Sequence, residues 1–169
     1  MHHHDPDANR PGRTALVVVA STRAAAGTYE DTSGPIAVEF LRSKGFDTPD
    51  ALVVPDAEIT PTLDRLFRAE KLPHVLLTSG GTGITADDQT VEAVTPHIER
   101  ELPGIVHAFW EEGRKHTPMA VASRAVAGVR GRTFIMTLPG SPGGVKDGCA
   151  VLDDLVIPIV DMLEGTHGS

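Results

Sequence analysis

The chain predicts an α/β protein, a single domain in which helices cover both faces of a mostly parallel sheet. Short apolar runs alternate along the sequence with amphipathic stretches, which is the order that a parallel sheet requires. The runs are rich in valine and leucine and lack polar alternation, as in strands buried on both faces. About 155 residues remain after the first dozen, which is enough for one domain.

The first half of the chain supplies two strand–helix pairs. Residues 14–20 form a valine-rich run that predicts the first strand, and a polar turn follows at 21–33. Residues 36–44 repeat apolar side chains at helical spacing. A second strand is predicted at 50–55, and a second helix begins at residues 60–61 with a capping threonine and a proline.

The second half of the chain continues this alternation. The run at 74–78 predicts a third strand, and a helix opened by two aspartates follows its glycine-rich turn. Residues 103–116 predict another helix, and residues 117–127 a further one. The run at 132–138 predicts the fourth strand. Two helices end the chain, with Pro158 at the start of the second rather than inside one.

Polar loops follow all four predicted strands, and every loop carries acids, hydroxyls or glycines. They are residues 21–33, 55–59, 79–87 and 139–144. Because ligands of parallel sheets bind beyond the carboxyl ends of the strands, we expect one shared site at that edge of the sheet.

Composition argues against several classes of function. The net charge of −8 and the isoelectric point near 5.4 argue against a nucleic-acid partner. No apolar run approaches the roughly 18 residues that span a bilayer, so no membrane partner is expected. The single cysteine, Cys149, suits a reducing compartment, and we predict a cytoplasmic protein.

The two ends of the chain are predicted to lie outside the folded domain. Residues 1–12 contain three consecutive histidines and no apolar pattern, so we interpret them as a disordered lead or tag remnant. The domain is predicted at 13–164, and residues 165–169 are interpreted as a frayed tail.

The glycine-rich turn at residues 79–83, Ser-Gly-Gly-Thr-Gly, predicts an anion site. Glycines let the backbone approach a ligand closely, and a following helix would aim unpaired N–H groups at it. No lysine follows Gly83, which excludes a P-loop. Acids beside the turn suggest that a metal ion accompanies the anion, so we expect a phosphate-bearing ligand.

The same turn also fits a dinucleotide fingerprint, which leaves an NAD-binding oxidoreductase as a remote alternative. Gly81, Gly83 and Ala86 have the required spacing. The fingerprint also needs an acid at the end of a further strand, about 20 residues on. Residues 99–104 predict a helix end and a turn without a strand, which disfavours this alternative.

Asp56 and Asp88 are candidate Mg²⁺ ligands, since each follows a predicted strand. Mg²⁺ is usually held by few protein oxygens together with ligand phosphates. Each residue also has a simpler interpretation. Asp87 and Asp88 would suit the positive end of a helix, and Thr85 with Asp88 resembles a capping box. Asp56 would suit a turn.

The other polar candidates carry weaker signals. The histidines beyond the lead lack zinc-like spacing, which favours structural or surface roles: His74, His97, His107, His116 and His167. Ser123, Arg124 and Lys146 fit a phosphate contact and a surface position equally well. Cys149 is predicted to pack within a helix.

Several motifs stand in a fixed order between residues 13 and 164. They are Tyr-Glu-Asp-Thr-Ser-Gly at 29–34, Val-Pro-Asp at 54–56, Thr-Ser-Gly-Gly-Thr-Gly at 78–83, Asp-Gln-Thr-Val-Glu-Ala at 88–93, Ser-Arg at 123–124, Gly-Val-Arg-Gly at 128–131 and Pro-Gly-Ser-Pro at 139–142. Together they resemble the MogA/MoaB family of molybdenum cofactor biosynthesis proteins.

This resemblance implies a three-layer α/β/α domain, often trimeric, that binds molybdopterin. MogA-type members transfer AMP from Mg-ATP to the terminal phosphate of molybdopterin and release pyrophosphate. MoaB-type members imply the alternative, a molybdopterin-binding protein without adenylyltransferase activity. A homotrimer is implied, with the molybdenum-insertion protein as a possible partner.

The resemblance also assigns roles to individual residues. Asp56 and Asp88 would be the catalytic residues and would hold Mg²⁺ with the nucleotide. The residues expected to bind ATP and molybdopterin are Thr78, Ser79, Gly80, Gly81, Thr82, Gly83, Ser123, Arg124, Pro139, Gly140, Ser141, Pro142 and Lys146.

Overall fold

The computed structural model describes residues 12–165, in which six strands form one sheet. The strands are β1 (Ala15–Ala20), β2 (Leu52–Val54), β3 (Val75–Ser79), β4 (Arg100–Glu101), β5 (Ala127–Arg130) and β6 (Thr133–Leu138). Their order across the sheet is β2-β1-β3-β6-β5-β4. The strands β2, β1, β3 and β6 are parallel to one another, whereas β5 pairs antiparallel with β6 and β4 pairs antiparallel with β5. The predicted lead and tail lie almost wholly outside the described residues.

Helices fill the connections between the strands. They are α1 (Thr22–Ala25), α2 (Gly34–Ser43), α3 (Ile59–Phe67), α4 (Thr90–Val94), α5 (Pro103–Arg114), α6 (Pro142–Leu152) and α7 (Val156–Leu163). Short 3₁₀ helices occur at Asp56–Glu58, Thr95–His97 and Pro118–Ala122. Within residues 12–165, no helix combines the length and the apolar character needed to cross a membrane.

The central strands are buried on both faces, which confirms the predicted fold class. In β1, Val17 and Val19 pack with α2, α5, α6 and α7, whereas Val18 and Ala20 pack with α3 and α4. Successive side chains of a strand point to opposite faces, so the valine run supplies two cores at once. The result is a three-layer α/β/α domain.

Residues 117–127 were wrongly predicted to form one helix. The structure has a 3₁₀ helix at Pro118–Ala122, and the chain then becomes extended and enters β5. Ala127 pairs with Met136 of β6, and the amide of Val126 donates a hydrogen bond to the hydroxyl of Thr137 at 2.9 Å. Pairing with a buried strand outweighs the helix preference of the alanines.

The prediction of no strand at residues 99–104 was also wrong, because Arg100 and Glu101 form β4. This strand pairs antiparallel with β5 at the far edge of the sheet. A dinucleotide fingerprint needs a parallel strand beside the glycine-bearing strand, and β4 does not occupy that place. The arrangement therefore argues further against the NAD-binding alternative.

Two helix starts show how proline acts in this fold. Pro158 lies in the first turn of α7, as predicted, where its missing N–H costs little. The helix α3 begins at Ile59 rather than after a cap at Thr60, with Glu58 at its N-cap.

In α6, Cys149 packs in the core as predicted, and burial raises the pKa of its thiol to about 12.

A buried charge cluster ties the amino ends of β1 and β3 to the end of α7. The side chain of Arg13 is 1% exposed and donates hydrogen bonds to Asp161 and, at 2.7 Å, to Glu164. The Nε2 of His74 lies 3.2 Å from Glu164, and the amide of Thr14 donates to Nδ1 of the same ring. We call Arg13, His74, Asp161 and Glu164 the amino-edge cluster.

Candidate functional site

The loops that follow β1, β2, β3 and β6 meet at the carboxyl edge of the sheet. They enclose an open cavity of about 900 Å³. Its lining includes Thr22, Arg23, Asp56, Gly80, Gly81, Thr82, Gly83, Asp88, Ser123, Pro139, Gly140 and Ser141. The predicted convergence of the four loops is therefore present in the structure.

The glycine loop, residues 80–83, requires glycine at its first two positions. Gly80 and Gly81 have φ angles of 94° and 75°, in the left-handed region that side chains disfavour. A Cβ at these positions would also collide with the carbonyl of Ala20 and the hydroxyl of Thr90. The loop therefore presents backbone to the cavity where a side chain would not fit.

Unpaired amides in the glycine loop suit a bound anion. The amide of Gly80 donates to the carbonyl of Leu138 at 3.0 Å. The amides of Gly81 and Thr82 have no hydrogen-bond partner within the described part of the chain. Consecutive backbone N–H groups of this kind form anion-binding concavities.

The structure corrects the expectation that a helix follows the glycine loop directly. The helix α4 begins only at Thr90 and spans five residues. Asp87 and Asp88 lie before it in a loop, so they do not open the helix. An anion beside the glycine loop would therefore meet the loop amides and not the N-terminus of α4.

Asp88 is held in the cavity wall as a carboxylate. The hydroxyl of Thr85 donates to Asp88 Oδ2 at 2.7 Å, and the amide of Thr85 donates to the same oxygen at 3.0 Å. Burial alone would raise the pKa of Asp88, but hydrogen bonds from Thr85 and Gly83 and the charge of Arg124 lower it below its ordinary value. The predicted pairing of Thr85 with Asp88 thus exists, as a turn ahead of α4.

Asp56 opens the 3₁₀ helix after β2 and is anchored by Thr22. The Thr22 hydroxyl donates to Asp56 Oδ2 at 3.1 Å and accepts a hydrogen bond from the Asp56 amide at 3.0 Å. Asp56 and Asp88 both line the cavity that the glycine loop also lines. Two carboxylates beside such a loop are hard oxygen donors, a set that fits Mg²⁺ bound together with phosphates.

Sequence reasoning missed two lining residues, Thr22 and Arg23. Both directly follow β1, and the rule that selected Asp56 after β2 would have selected them too. Arg23 brings a positive charge to the lining, and its guanidinium lies 4.9 Å from the centre of the Tyr29 ring.

Arg124 braces the glycine loop from outside the cavity. Its Nε donates to the carbonyl of Gly83 at 2.7 Å, and its Nη2 donates to the carbonyl of Asp88 at 3.1 Å. The same guanidinium forms an ion pair with Glu92. Most of its donors therefore bind protein groups, so a direct phosphate contact by Arg124 stays a prediction. The neighbouring Ser123 hydroxyl lines the cavity and donates to Thr82 Oγ1 at 3.1 Å.

Four other predicted binding residues lie outside the lining of this cavity. Thr78 is fully buried in β3, and Ser79 uses its hydroxyl to bond the carbonyl of Pro139 at 2.9 Å. Pro142 begins α6 behind the capping residue Ser141. Lys146 lies at a second, adjoining cavity of about 470 Å³. These residues are close to the lining loops in sequence because they belong to the strand and the helix that flank those loops, β3 and α6.

The fold and the site together define a class: three-layer α/β proteins whose carboxyl-edge cavity combines a glycine loop with two carboxylates. Residues 16–161 match the family model described as a probable molybdopterin binding domain, and the chain belongs to that family. The resemblance drawn from the motifs is thereby confirmed.

Individual relatives agree with this assignment. The chain is 35% identical over 140 residues to the molybdopterin adenylyltransferase of Escherichia coli K12, covering 80% of this chain and 70% of that one. It is also 35% identical to a molybdenum cofactor biosynthesis bifunctional protein of Chlorobaculum tepidum, but spans only 49% of that longer protein. The solved structure of the molybdopterin biosynthesis Mog protein from Mycobacterium ulcerans superposes with a TM-score of 0.82 at 40% identity, covering 90% and 99% of the two chains.

Proposed function

We propose that this chain is a molybdopterin adenylyltransferase acting in molybdenum cofactor biosynthesis. The observation that carries the proposal is the carboxyl-edge cavity, in which the glycine loop lies beside Asp56 and Asp88. A phosphate-binding loop with two carboxylates fits a reaction between a phosphorylated pterin and a nucleotide. The similarity to a named molybdopterin adenylyltransferase supports the same reaction.

In this reaction a terminal phosphate oxygen of molybdopterin attacks the α-phosphorus of ATP. A new P–O–P bond forms, the bond from the α-phosphorus to the bridging oxygen breaks, and pyrophosphate leaves with those electrons. The protein contributes position and charge, since phosphoryl chemistry needs little else from it. Mg²⁺, held by Asp56 and Asp88, would neutralise phosphate charge when it is bound.

The surrounding residues prepare this geometry. The amides of Gly81 and Thr82 would bind phosphate oxygens. Thr22 orients Asp56, and Thr85 orients Asp88 and keeps it ionised. Because these carboxylates are anchored by hydroxyls rather than by cations, their charge remains available to a bound metal ion.

One observation favours the second candidate, a MoaB-type molybdopterin-binding protein without transferase activity. Among the described lining residues of the cavity, Arg23 is the one that carries a positive charge. A nucleotide triphosphate brings more negative charge than a pterin monophosphate, so a weakly cationic cavity suits the smaller anion better. Mg²⁺ at Asp56 and Asp88 would remove this difference.

A single incubation separates the two candidates. The protein is mixed with molybdopterin and saturating Mg-ATP, and adenylylated pterin and pyrophosphate are measured. The transferase predicts both products, and their loss in the Asp88→Asn variant. A wild-type protein that binds molybdopterin but forms no adduct would instead be the binding protein.

We further propose a homotrimer that works in the cytoplasm and delivers its product to the molybdenum-insertion protein. The family resemblance supports these points. Light scattering coupled to size-exclusion chromatography measures the oligomeric state, and a mass of about one chain would contradict the trimer.

A further inference from the structure

A second group of chemically active side chains lies where the end of α5 packs on α6. Glu112 lies in the last turn of α5, His116 lies in the turn that follows Arg114, and Asp147 faces them from α6. One ligand atom from each residue lies within 4.8 Å of the other two. The Nε2 of His116 is 3.4 Å from a carboxylate oxygen of Asp147.

We propose that Glu112, His116 and Asp147 form a binding site for a divalent transition-metal ion such as Zn²⁺. One imidazole and two carboxylates are a donor set found in zinc sites, whereas Mg²⁺ prefers oxygen ligands alone. Three protein ligands leave a coordination position open. His116 and Asp147 line the second cavity, so that position would take water or an anionic group of a molecule bound there.

The burial of the two carboxylates supports a bound cation. The side chains of Glu112 and Asp147 are 28% and 15% exposed. Among residues 12–165, no group donates a hydrogen bond to the Asp147 carboxylate, and His116 is its ion-pair partner. Charges taken out of water are normally paired or bound to a metal, and Lys115 pairs with Glu112 but not with Asp147. A cation between the three side chains would give the Asp147 carboxylate a second partner.

Local packing explains how the three residues come together. Gly113 is buried at the contact between the two helices, and its Cα carries no side chain towards Asp147. A Cβ there would lie 2.6 Å from the Cβ of Ala120 and 3.7 Å from Asp147 Oδ2. The absent side chain therefore lets the 3₁₀ helix at Pro118–Ala122 pack tightly against the end of α5, and the turn that carries His116 connects these two elements.

The ammonium group of Lys115 would compete with a metal ion for Glu112, so one substitution should strengthen metal binding while others weaken it. Its Nζ lies 2.9 Å from Glu112 Oε1, so a metal ion must displace this ammonium group. Lys115→Met should therefore tighten Zn²⁺ binding several-fold, an increase that a purely structural cluster would not produce.

The experiment is a calorimetric titration of the full-length protein with ZnCl₂. The background carries His2→Ala, His3→Ala and His4→Ala, because a run of histidines binds zinc by itself. We expect one ion per chain, with binding weakened at least about tenfold by His116→Ala and by Asp147→Asn. His107→Ala, at an exposed histidine of α5, is the matched control and should leave binding unchanged.

Three results would overturn the proposal. The first is the absence of zinc binding in the background protein. The second is zinc binding by the His116→Ala and Asp147→Asn variants that is as tight as in the background protein, with circular dichroism showing that both variants are folded. The third is displacement of Zn²⁺ by millimolar Mg²⁺. Because Asp56 and Asp88 take no part in this site, the outcome is independent of adenylyl transfer.

Discussion

The two edges of the sheet use charged side chains in opposite ways. At the carboxyl edge, Asp56 and Asp88 are anchored by threonine hydroxyls and face an open cavity. At the amino edge, the guanidinium of Arg13 is buried and bound by two carboxylates. A buried charge cannot lose its partner without a cost in stability, while charge anchored by neutral groups stays available to a ligand. Substitutions at the two edges should therefore separate stability from activity.

Arg13→Ala is the most severe test of the amino edge. Removing a buried cation from its carboxylate partners should lower the free energy of unfolding by about 3–5 kcal/mol, measured by urea denaturation. Product formation per folded molecule should stay near the wild-type rate. Arg68→Ala, at an exposed arginine, is the control and should change stability by less than about 0.5 kcal/mol. If Arg13→Ala lowered the free energy of unfolding as little as the control does, the proposed role of the amino edge in stability would be wrong.

Asp88→Asn is the corresponding test of the carboxyl edge. Loss of this carboxylate should reduce formation of adenylylated pterin by about 10²-fold or more, because the proposed ligand to the Mg-nucleotide is removed. The free energy of unfolding at pH 7 should fall by no more than about 1 kcal/mol. Asp154→Asn, an exposed aspartate outside the cavity, serves as control. Equal rates for both variants would show that Asp88 has no part in the reaction.

Arg124→Lys should affect activity through the shape of the glycine loop. A lysine keeps the charge but cannot bond the carbonyls of Gly83 and Asp88 and the carboxylate of Glu92 together. We expect the KM for Mg-ATP to rise about tenfold, with a smaller change in kcat, in steady-state kinetics. If kcat alone falls, Arg124 contacts the reacting groups instead of positioning the loop.

His74 gives the amino edge a modest pH dependence. Burial lowers the pKa of His74, and this outweighs the opposing effect of Glu164. The folded chain therefore binds a proton less readily than the unfolded chain, and stability should decline as the pH falls below about 6.5. His74→Gln should flatten the curve of unfolding free energy against pH in this range. An unchanged curve would assign the dependence to other groups.

Sequence pattern predicted the buried strands well because burial on both faces leaves a continuous apolar run. The predicted strands at 14–20, 74–78 and 132–138 each shift by only about a residue from β1, β3 and β6. The antiparallel strands β4 and β5 were missed because they form by pairing, β5 with β6 and β4 with β5, and no local sequence pattern records this pairing. Two residues of β4 are too few to show any periodicity.

The candidate site also has features that the sequence could predict and features that it could not. Sequence pattern could place Asp56, Asp88 and the glycine loop at one cavity because each lies in a loop that follows a strand, and topology brings strand ends together. The bracing role of Arg124 and the position of Lys146 at the adjoining cavity depend on contacts between distant segments. Sequence spacing likewise gave no sign that Asp147 lies beside Glu112 and His116.

The position of β6 between β3 and β5 also bears on how the protein is made. Synthesis delivers β1, β2 and β3 first, and these can pair while one edge of β3 is still open. That edge stays unpaired until Thr133–Leu138 leaves the ribosome, and an exposed apolar edge is where nascent chains associate. A chain truncated before β6 would therefore yield an aggregating fragment rather than a smaller working enzyme.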